Sequence, residues 1–389
     1  MVRSAWTTYR AAQVLGEYRR RRDAYARIAG ERRLVYSEEG TTAEVRRRLS
    51  ARGYTPRRRS PGEIHTFACF PSYGWHHHLL PDLHELGPVT RFDYSALGYS
   101  FDEFSRCDAS SIARRDAMSE RILPVLRAAH EVRPIDWVFW YGGGQDTSPV
   151  VVRRITEELG IPTVNLSLDD KQGWAGETSS GWRAGAVDIT AVFDLYGTSS
   201  RVTCEWHMVE GGRPLYMPEG FDASAFAPRV VEPDLSVSFV GVAYGFRMSA
   251  IEYLRDCSID VTPFGAGWPN GKADDIIAIF NRSVINLGMG GIEYSEDLTN
   301  VKGRDFEIPG TGGGMYLTSF NPDLALHFHV GREIVCYRNR DEMVELIRYY
   351  LARPEEAQAI ATRARERSLR DHRWLHRYQK MLRILGVLA

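Results

Sequence analysis

Short apolar runs alternate with amphipathic stretches along most of this chain, and that alternation restricts the fold more than any other feature. From residue 61 the runs are Ile64–Phe70, Val89–Asp93, Asp136–Tyr141, Pro162–Ser167, Ile189–Phe193 and Pro214–Met217. Helical patterns separate them at His76–Leu86, near Ala113–Arg133 and at Pro149–Leu159. A second set follows Pro218-Glu219-Gly220-Phe221-Asp222, with runs at Leu235–Gly241, Asp260–Phe264, Val284–Leu287, Met315–Thr318 and Ile334–Tyr337. Helical patterns fall between these at Phe246–Cys257, Ala273–Asn281 and Asp341–Leu351, and the tail Pro354–Leu388 reads as helical. Strands alternating with helices predict parallel, doubly wound sheets, whose ligands lie beyond the carboxyl ends of the strands. A chain of 389 residues has length for two such domains.

One stretch concentrates chemistry. In Thr299–Phe320, TNVKGRDFEIPGTGGGMYLTSF, Thr299 or Asn300 is expected to cap a helix. The turn Asn300–Gly303 then offers backbone N–H groups and the positive end of the helix dipole to an anion. Lys302 and Arg304 add cations, and Gly303 permits close approach. Glu307 stands at a reach suited to hydroxyl groups, Pro309 interrupts the helix, and Gly312-Gly313 begins the turn into the next strand. Such a cradle suits a nucleoside diphosphate; the alternative is a plain helix–glycine–strand connection with surface charges.

This stretch resembles the donor-site segment of GT-B glycosyltransferases, most closely the bacterial spore-maturation (CgeB-like) family, in Lys302-Gly303-Arg304-Asp305-Phe306-Glu307-Ile308-Pro309-Gly310-Thr311-Gly312-Gly313. Further segments fit in order: Ser238-Phe239-Val240-Gly241 with Arg247, Phe264-Gly265-Ala266-Gly267-Trp268, Gly331-Arg332-Glu333-Ile334-Val335 with Tyr337, and His372-Arg373-Trp374 with Arg377. The resemblance covers about residues 215–380 well. It implies an α/β GT-B fold of two Rossmann-like doubly wound domains: an acceptor domain over 61–218, a nucleotide-sugar domain over 219–370, and a closing helix over 371–389 that crosses back to the first. It implies a nucleotide-diphosphate sugar as donor and no essential metal. Donor binding falls to Arg247, Asn300, Lys302, Gly303, Arg304, Glu307, Gly312 and Gly313, with Glu307 on the ribose; the alternative location is the Gly288–Glu296 loop. Retaining members often carry two glutamates eight positions apart, but Thr299 stands eight before Glu307, with Glu293 and Glu296 out of register, so stereochemistry stays open.

On the acceptor side, Tyr73, Gly74, Trp75 and Gly143 follow strand ends, as do the base candidates Asp169, Asp170 and His76. Each has a plainer alternative as a turn or loop cap. His76-His77-His78 does not read as a metal site, because neighbours on a helix point about 100° apart. Trp75, Trp174 and Trp182 suit stacking on a sugar or base, or simple core packing.

Charge is uneven. Residues 1–60 hold sixteen arginines against six acids, a net of about +10 in a chain whose total is −1. The clusters Arg19–Arg22, Arg46–Arg48 and Arg57–Arg59 predict either an Arg-rich helical extension packed on the body or a surface for nucleic acid. Two further functional classes follow: a nucleic-acid-modifying glycosyltransferase, and a non-catalytic binding or coat protein of the same fold. No apolar run approaches the ~20 residues of a membrane span. The start MVRSAWTTYRAAQVL lacks a signal peptide's apolar core, and the five scattered cysteines read as free thiols; both point to a cytoplasmic protein, with a homo-oligomer allowed.

Overall fold

The computed structural model describes residues 2–71, 76–99, 109–176, 184–292 and 294–388. The chain divides into two compact units, one of residues 20–218 with 374–389 and the other of residues 1–19 with 219–373. Each is built on one parallel sheet.

In the first unit the strands are β1 (Thr66–Cys69), β2 (Val89–Phe92), β3 (Trp137–Tyr141), β4 (Thr163–Ser167), β5 (Leu195–Thr198) and β6 (Pro214–Tyr216), ordered β2-β1-β3-β4-β5-β6. β1, β3 and β4 carry near-continuous apolar runs because helices cover both faces of a parallel sheet. Trp137, Phe139, Val164 and Leu166 are fully buried, and Tyr378, Met381 and Leu385 of the helix Trp374–Leu385 join the same core. Asp82 accepts a hydrogen bond from Leu375 N at 2.7 Å and so holds the first turn of that helix.

The second unit carries β7 (Leu235–Val240), β8 (Val261–Phe264), β9 (Ser283–Leu287), β10 (Met315–Ser319) and β11 (Val335–Tyr337), ordered β11-β10-β9-β7-β8. β7 is central: Val240 pairs with Phe264 on one side and Phe239 with Leu287 on the other. The connection to β8 leaves on one side of β7, and the later strands build outward on the other. The order therefore reverses between β7 and β9, the usual place for a ligand crevice.

Several expected boundaries move. The strand expected at Ile189–Phe193 is instead the end of a short helix, Ala186–Ile189, followed by a turn. Gly185 N donates to Asp188 Oδ2 at 2.7 Å, which starts that helix, and the strand begins only after Asp194. His76–His78 is a single 3-10 turn ahead of the helix Leu80–Leu86. Ala113–Arg133 resolves into two helices, Ala109–Glu120 and Ile122–Val132.

Much of the basic segment from residue 20 faces its own unit. Ser37 caps the helix Glu38–Ala51, which buries Thr41, Val45 and Leu49. Two arginines at its C-terminal end turn inward as well: Arg48 Nε and the C-cap Arg52 Nη1 meet Asp194 Oδ1 at 2.9 and 2.8 Å, and Asp194 is fully buried. Asp194 Oδ2 also accepts from Thr163 N at 3.0 Å, at the start of β4. Arg59 pairs with buried Asp136, and Arg46 donates to the carbonyls of Arg383 and Ile384. Asp194 thus ties the helix Glu38–Ala51 to the sheet. Removing one partner of a buried ion pair leaves the others uncompensated, at about 3–5 kcal/mol. Asp194→Ala should therefore lower the stability measured by urea unfolding by about that amount; a change under about 0.5 kcal/mol would show that water serves the two arginines equally well.

Candidate functional site

A pocket opens at the carboxyl ends of β7 and β9, where the strand order reverses. Phe239 and Val240 form one wall, and Leu287 with the turn Gly288-Met289-Gly290 forms another. Arg247, Lys302, Arg304 and Asp305 supply its charges, and Ile308 and Tyr316 complete it. The turn needs glycine for space: a Cβ on Gly288 would collide with the Tyr316 hydroxyl and Thr318 Oγ1.

Arg247 enters from the first turn of the helix Phe246–Asp256. Its Nη1 donates to Val242 O at 3.2 Å, and its guanidinium lies 4.5 Å from the Tyr244 ring centroid and 5.6 Å from that of Phe239. It is 8% exposed, its Nε is buried without a hydrogen-bond partner, and burial pushes its pKa down. Among the described residues no carboxylate comes within ion-pair distance of it. A buried cation held only by a carbonyl and two aromatic faces is an incomplete arrangement.

The motif segment is built differently from the sequence expectation. The helix is Arg304–Thr311, with Gly303 at its N-cap; it does not start at Thr299 or Asn300. Asn300 N donates to Gly290 O at 3.0 Å, and Lys302 N donates to Asp305 Oδ2 at 2.7 Å, so these two amides are taken. The cap runs backward, from a carboxylate within the first turn to the amide three residues before it, as in one half of a capping box. Tyr316 donates to the other Asp305 oxygen at 2.7 Å. Burial raises the Asp305 carboxyl to about 6 and, with Asp305 beside it, keeps the Tyr316 hydroxyl protonated. Arg304 pairs with Glu307, whose side chain is 14% exposed, and lies over the Phe280 ring.

Arg247, Lys302 and Arg304, expected from the sequence, therefore come together in one pocket. Glu307 joins through Arg304, while Asn300 is buried in the pairing to Gly290. Gly312 and Gly313 lie at the far end of the helix: Gly312 ends it with φ +69° and its N–H on Ile308 O, and a Cβ on Gly313 would strike Asn281. Three contributors escaped the sequence reading. Asp305 and Tyr316 are two, and the spacing Lys302-x-x-Asp305 is the signal for the first. The third is Glu219, whose carboxylate a Cβ at Gly303 would run into, with Glu307 Oε1 3.6 Å from the same point.

In the first unit Asp169 is exposed and Asp170 is buried. Asp170 Oδ2 meets His207 Nε2 at 3.0 Å, and His207 Nδ1 meets Thr190 Oγ1 at 2.8 Å. Gly143 N donates to Asp146 Oδ1 at 2.9 Å. Trp174 is core, edge-on to Tyr25 and Trp206. Tyr73, Gly74, Trp75, Trp182 and the His76 side chain lie outside the described residues. Among the described residues no group of three or more His, Cys, Asp or Glu is placed to hold a metal ion, and no helix is long and apolar enough to cross a membrane.

Residues 247–383 match the family described as Glycosyl transferase-like. No curated protein matches the sequence. Among solved structures, Anabaena HepE in complex with UDP-glucose is similar, with a TM-score of 0.56 at 12% identity over 83% of this chain and 99% of that one. Sucrose-phosphate synthase from Thermosynechococcus elongatus gives 0.53 at 13% over 90% and 94%. A UDP-forming trehalose-phosphate synthase from Burkholderia vietnamiensis gives 0.53 at 11% over 83% and 98%. The fold is the GT-B pair of Rossmann-like parallel-sheet domains.

The pocket depends on the fit of Gly288 against Tyr316. Overpacking a close contact costs about 1–3 kcal/mol. Gly288→Ala should lose that much in chemical denaturation, and Tyr316→Phe in the same chain, which removes the colliding hydroxyl, should recover part of it. Equal losses in the single and double variants would show that the strain lies elsewhere.

Proposed function

We propose that this chain, glycosyltransferase-like by family match and GT-B by fold, is a CgeB-like glycosyltransferase that takes its sugar from a nucleoside-diphosphate donor held by the unit of residues 219–373. The observation that carries this reading is Arg247: a buried guanidinium without a carboxylate, at the strand-order reversal, sharing one pocket with Lys302 and Arg304. A diphosphate supplies the missing charge, and guanidinium groups suit its oxygens. HepE, of the same fold, is described with UDP and UDP-glucose, which makes UDP the first probe to use.

The transfer has one electrostatic demand. As the acceptor hydroxyl attacks the anomeric carbon, the bond to the diphosphate oxygen breaks and negative charge grows on the leaving group. Arg247, Lys302 and Arg304 are placed to stabilise that charge. Glu307 accepts from the two ribose hydroxyls, with Arg304 holding its carboxylate in place. The acceptor's proton goes to a general base, the role expected of Asp169 or Asp170; Asp169 is exposed, and Asp170 is buried and bonded to His207. The inward arginines Arg48, Arg52 and Arg59, with Arg46 bonded to carbonyls of the closing helix, support a packed extension over a nucleic-acid surface.

The decisive variant is Arg247→Met, which keeps an apolar stem and removes the charge. A hydrogen bond to a charged group is worth about 1.5–3 kcal/mol, so UDP binding measured by calorimetry should weaken roughly ten- to a hundredfold. Failure of every nucleoside diphosphate to bind or stabilise the folded wild-type protein at millimolar concentration would overturn the reading. Glu307→Gln separates the ribose role. It should weaken UDP by about 1.5–3 kcal/mol and leave the 2′,3′-dideoxy analogue almost unchanged; equal effects on both would remove Glu307 from the ribose.

A further inference from the structure

We propose that Asp305 is a positioning residue of this pocket: its buried carboxylate fixes the backbone of Lys302, is itself fixed by the Tyr316 hydroxyl, and sets one negative charge against the anion that the pocket's cations attract. The proposal rests on the pocket being a diphosphate site.

Three observations carry it. First, both hydrogen bonds to the Asp305 carboxylate come from neutral donors, Lys302 N and Tyr316 OH, each at 2.7 Å. The carboxylate is not spent on Arg247 or Arg304; the latter pairs with Glu307. Second, Asp305 is 4% exposed and lines the pocket alongside Arg247, Lys302 and Arg304. Its charge therefore acts through a medium that screens poorly. Third, the two bonds join consecutive elements: one fixes the segment before the helix Arg304–Thr311, the other anchors it to β10. Any shift of Asp305 moves Lys302 relative to the strand ends.

The groups facing Asp305 come from every side of the pocket. Lys302 and Arg304 lie on its own segment, with Glu307 paired to Arg304, Arg247 on the helix Phe246–Asp256 and Tyr316 on β10; Cys336 on β11, outside the pocket lining, feels its charge. Burial, and after it the Asp305 charge, raise the Cys336 thiol, and Lys302 is the cation that favours the ionised form of Asp305. Because burial holds the carboxyl up at about 6, it is neutral below that pH and charged above it. The charged form repels a diphosphate and competes with it for Lys302. Its contribution to anion binding therefore becomes less favourable as pH rises through about 6, while a neutral Asp305 still accepts from Lys302 N.

The test uses the full chain and inorganic pyrophosphate, which carries the diphosphate without assuming a base. Binding is measured by calorimetry from pH 5 to pH 8 for the wild type, Asp305→Asn and Asp305→Ala. Pyrophosphate's own titration is common to all three and cancels in the ratios. Asparagine keeps an oxygen for Lys302 N and removes the charge. The Asp305→Asn affinity should equal the wild type near pH 5 and exceed it roughly three- to tenfold at pH 8, the scale of one partly screened like charge. Asp305→Ala should bind more weakly than Asp305→Asn at every pH, because Lys302 loses its anchor. A ratio of Asp305→Asn to wild type that stays flat across the range overturns the charge role, and Asp305→Ala equal to Asp305→Asn overturns the positioning role. Should Asp305→Ala fail to fold, the asparagine profile alone decides the charge role, and Tyr316→Phe, which loosens the same carboxylate, replaces it for positioning: weaker binding supports the role and unchanged binding overturns it. Absence of both pyrophosphate and UDP binding in folded wild-type protein removes the diphosphate site itself, and the inference with it; a flat ratio with binding intact removes only the inference.

Discussion

Burying a guanidinium without a counter-ion is expensive, and the second unit is arranged around that expense. Several kcal/mol separate an unpaired buried charge from a paired one. Arg247 recovers part of this from one carbonyl and from the faces of Tyr244 and Phe239. In the proposed function, a diphosphate supplies the rest. The position follows from topology. Parallel strands β7 and β9 are neighbours, but the chain leaves them in opposite directions, and the gap beyond their carboxyl ends is where loops and helix starts converge. Arg247 arrives there by the loop after β7, the glycine turn by the end of β9, and Lys302 and Arg304 by the segment before β10.

Most of the fold was legible because both sheets are parallel and covered on both faces. That makes β1, β3, β4 and the central strands of the second unit read as apolar runs bounded by Gly, Pro or Asp. The same signal misled at Ile189–Phe193. That run is apolar because a short helix and its turn bury Ile189 and Phe193, and no local feature separates this from a strand. The true strand, Leu195–Thr198, contains a glycine and a threonine and looks weaker in sequence. Burial decided the hydrophobicity, and the caps Gly185–Asp188 and Asp194 decided the structure.

The candidate site was legible as chemistry and less so as geometry. Arg247, Lys302 and Arg304 were identifiable because cations near strand ends and glycines are few. The helix start was not. Thr299 and Asn300 are good capping residues by type, yet Asn300 N is drawn into a tertiary bond to Gly290 and the carboxylate of Asp305 takes over the cap. Glu219 was invisible as a neighbour of Gly303, since only the folded chain brings the start of the second unit beside its donor segment. In the basic segment, a linear count of charge allowed both a packed helical extension and a polyanion surface. Asp194 and Asp136, far along the chain, turn several of those arginines inward.

A site that stabilises a leaving diphosphate also risks holding it. Cations that bind substrate and transition state equally lower the concentration needed for saturation without speeding the chemical step. A negative charge placed among them weakens ground-state binding and product retention alike. The same charge also opposes the negative charge that grows as the glycosidic bond breaks, so stabilisation of the leaving group rests on Arg247 and Arg304, neither of which is paired to that carboxylate. Asp305 occupies such a position: it is buried, and its hydrogen bonds come from Lys302 N and Tyr316 OH rather than from Arg247. On this reading the donor pocket sets three cations against the nearby carboxylates of Asp305, Glu307 and Glu219. Glu307 is committed to Arg304, and Asp305 is held by Tyr316 where it moderates the pocket without closing it.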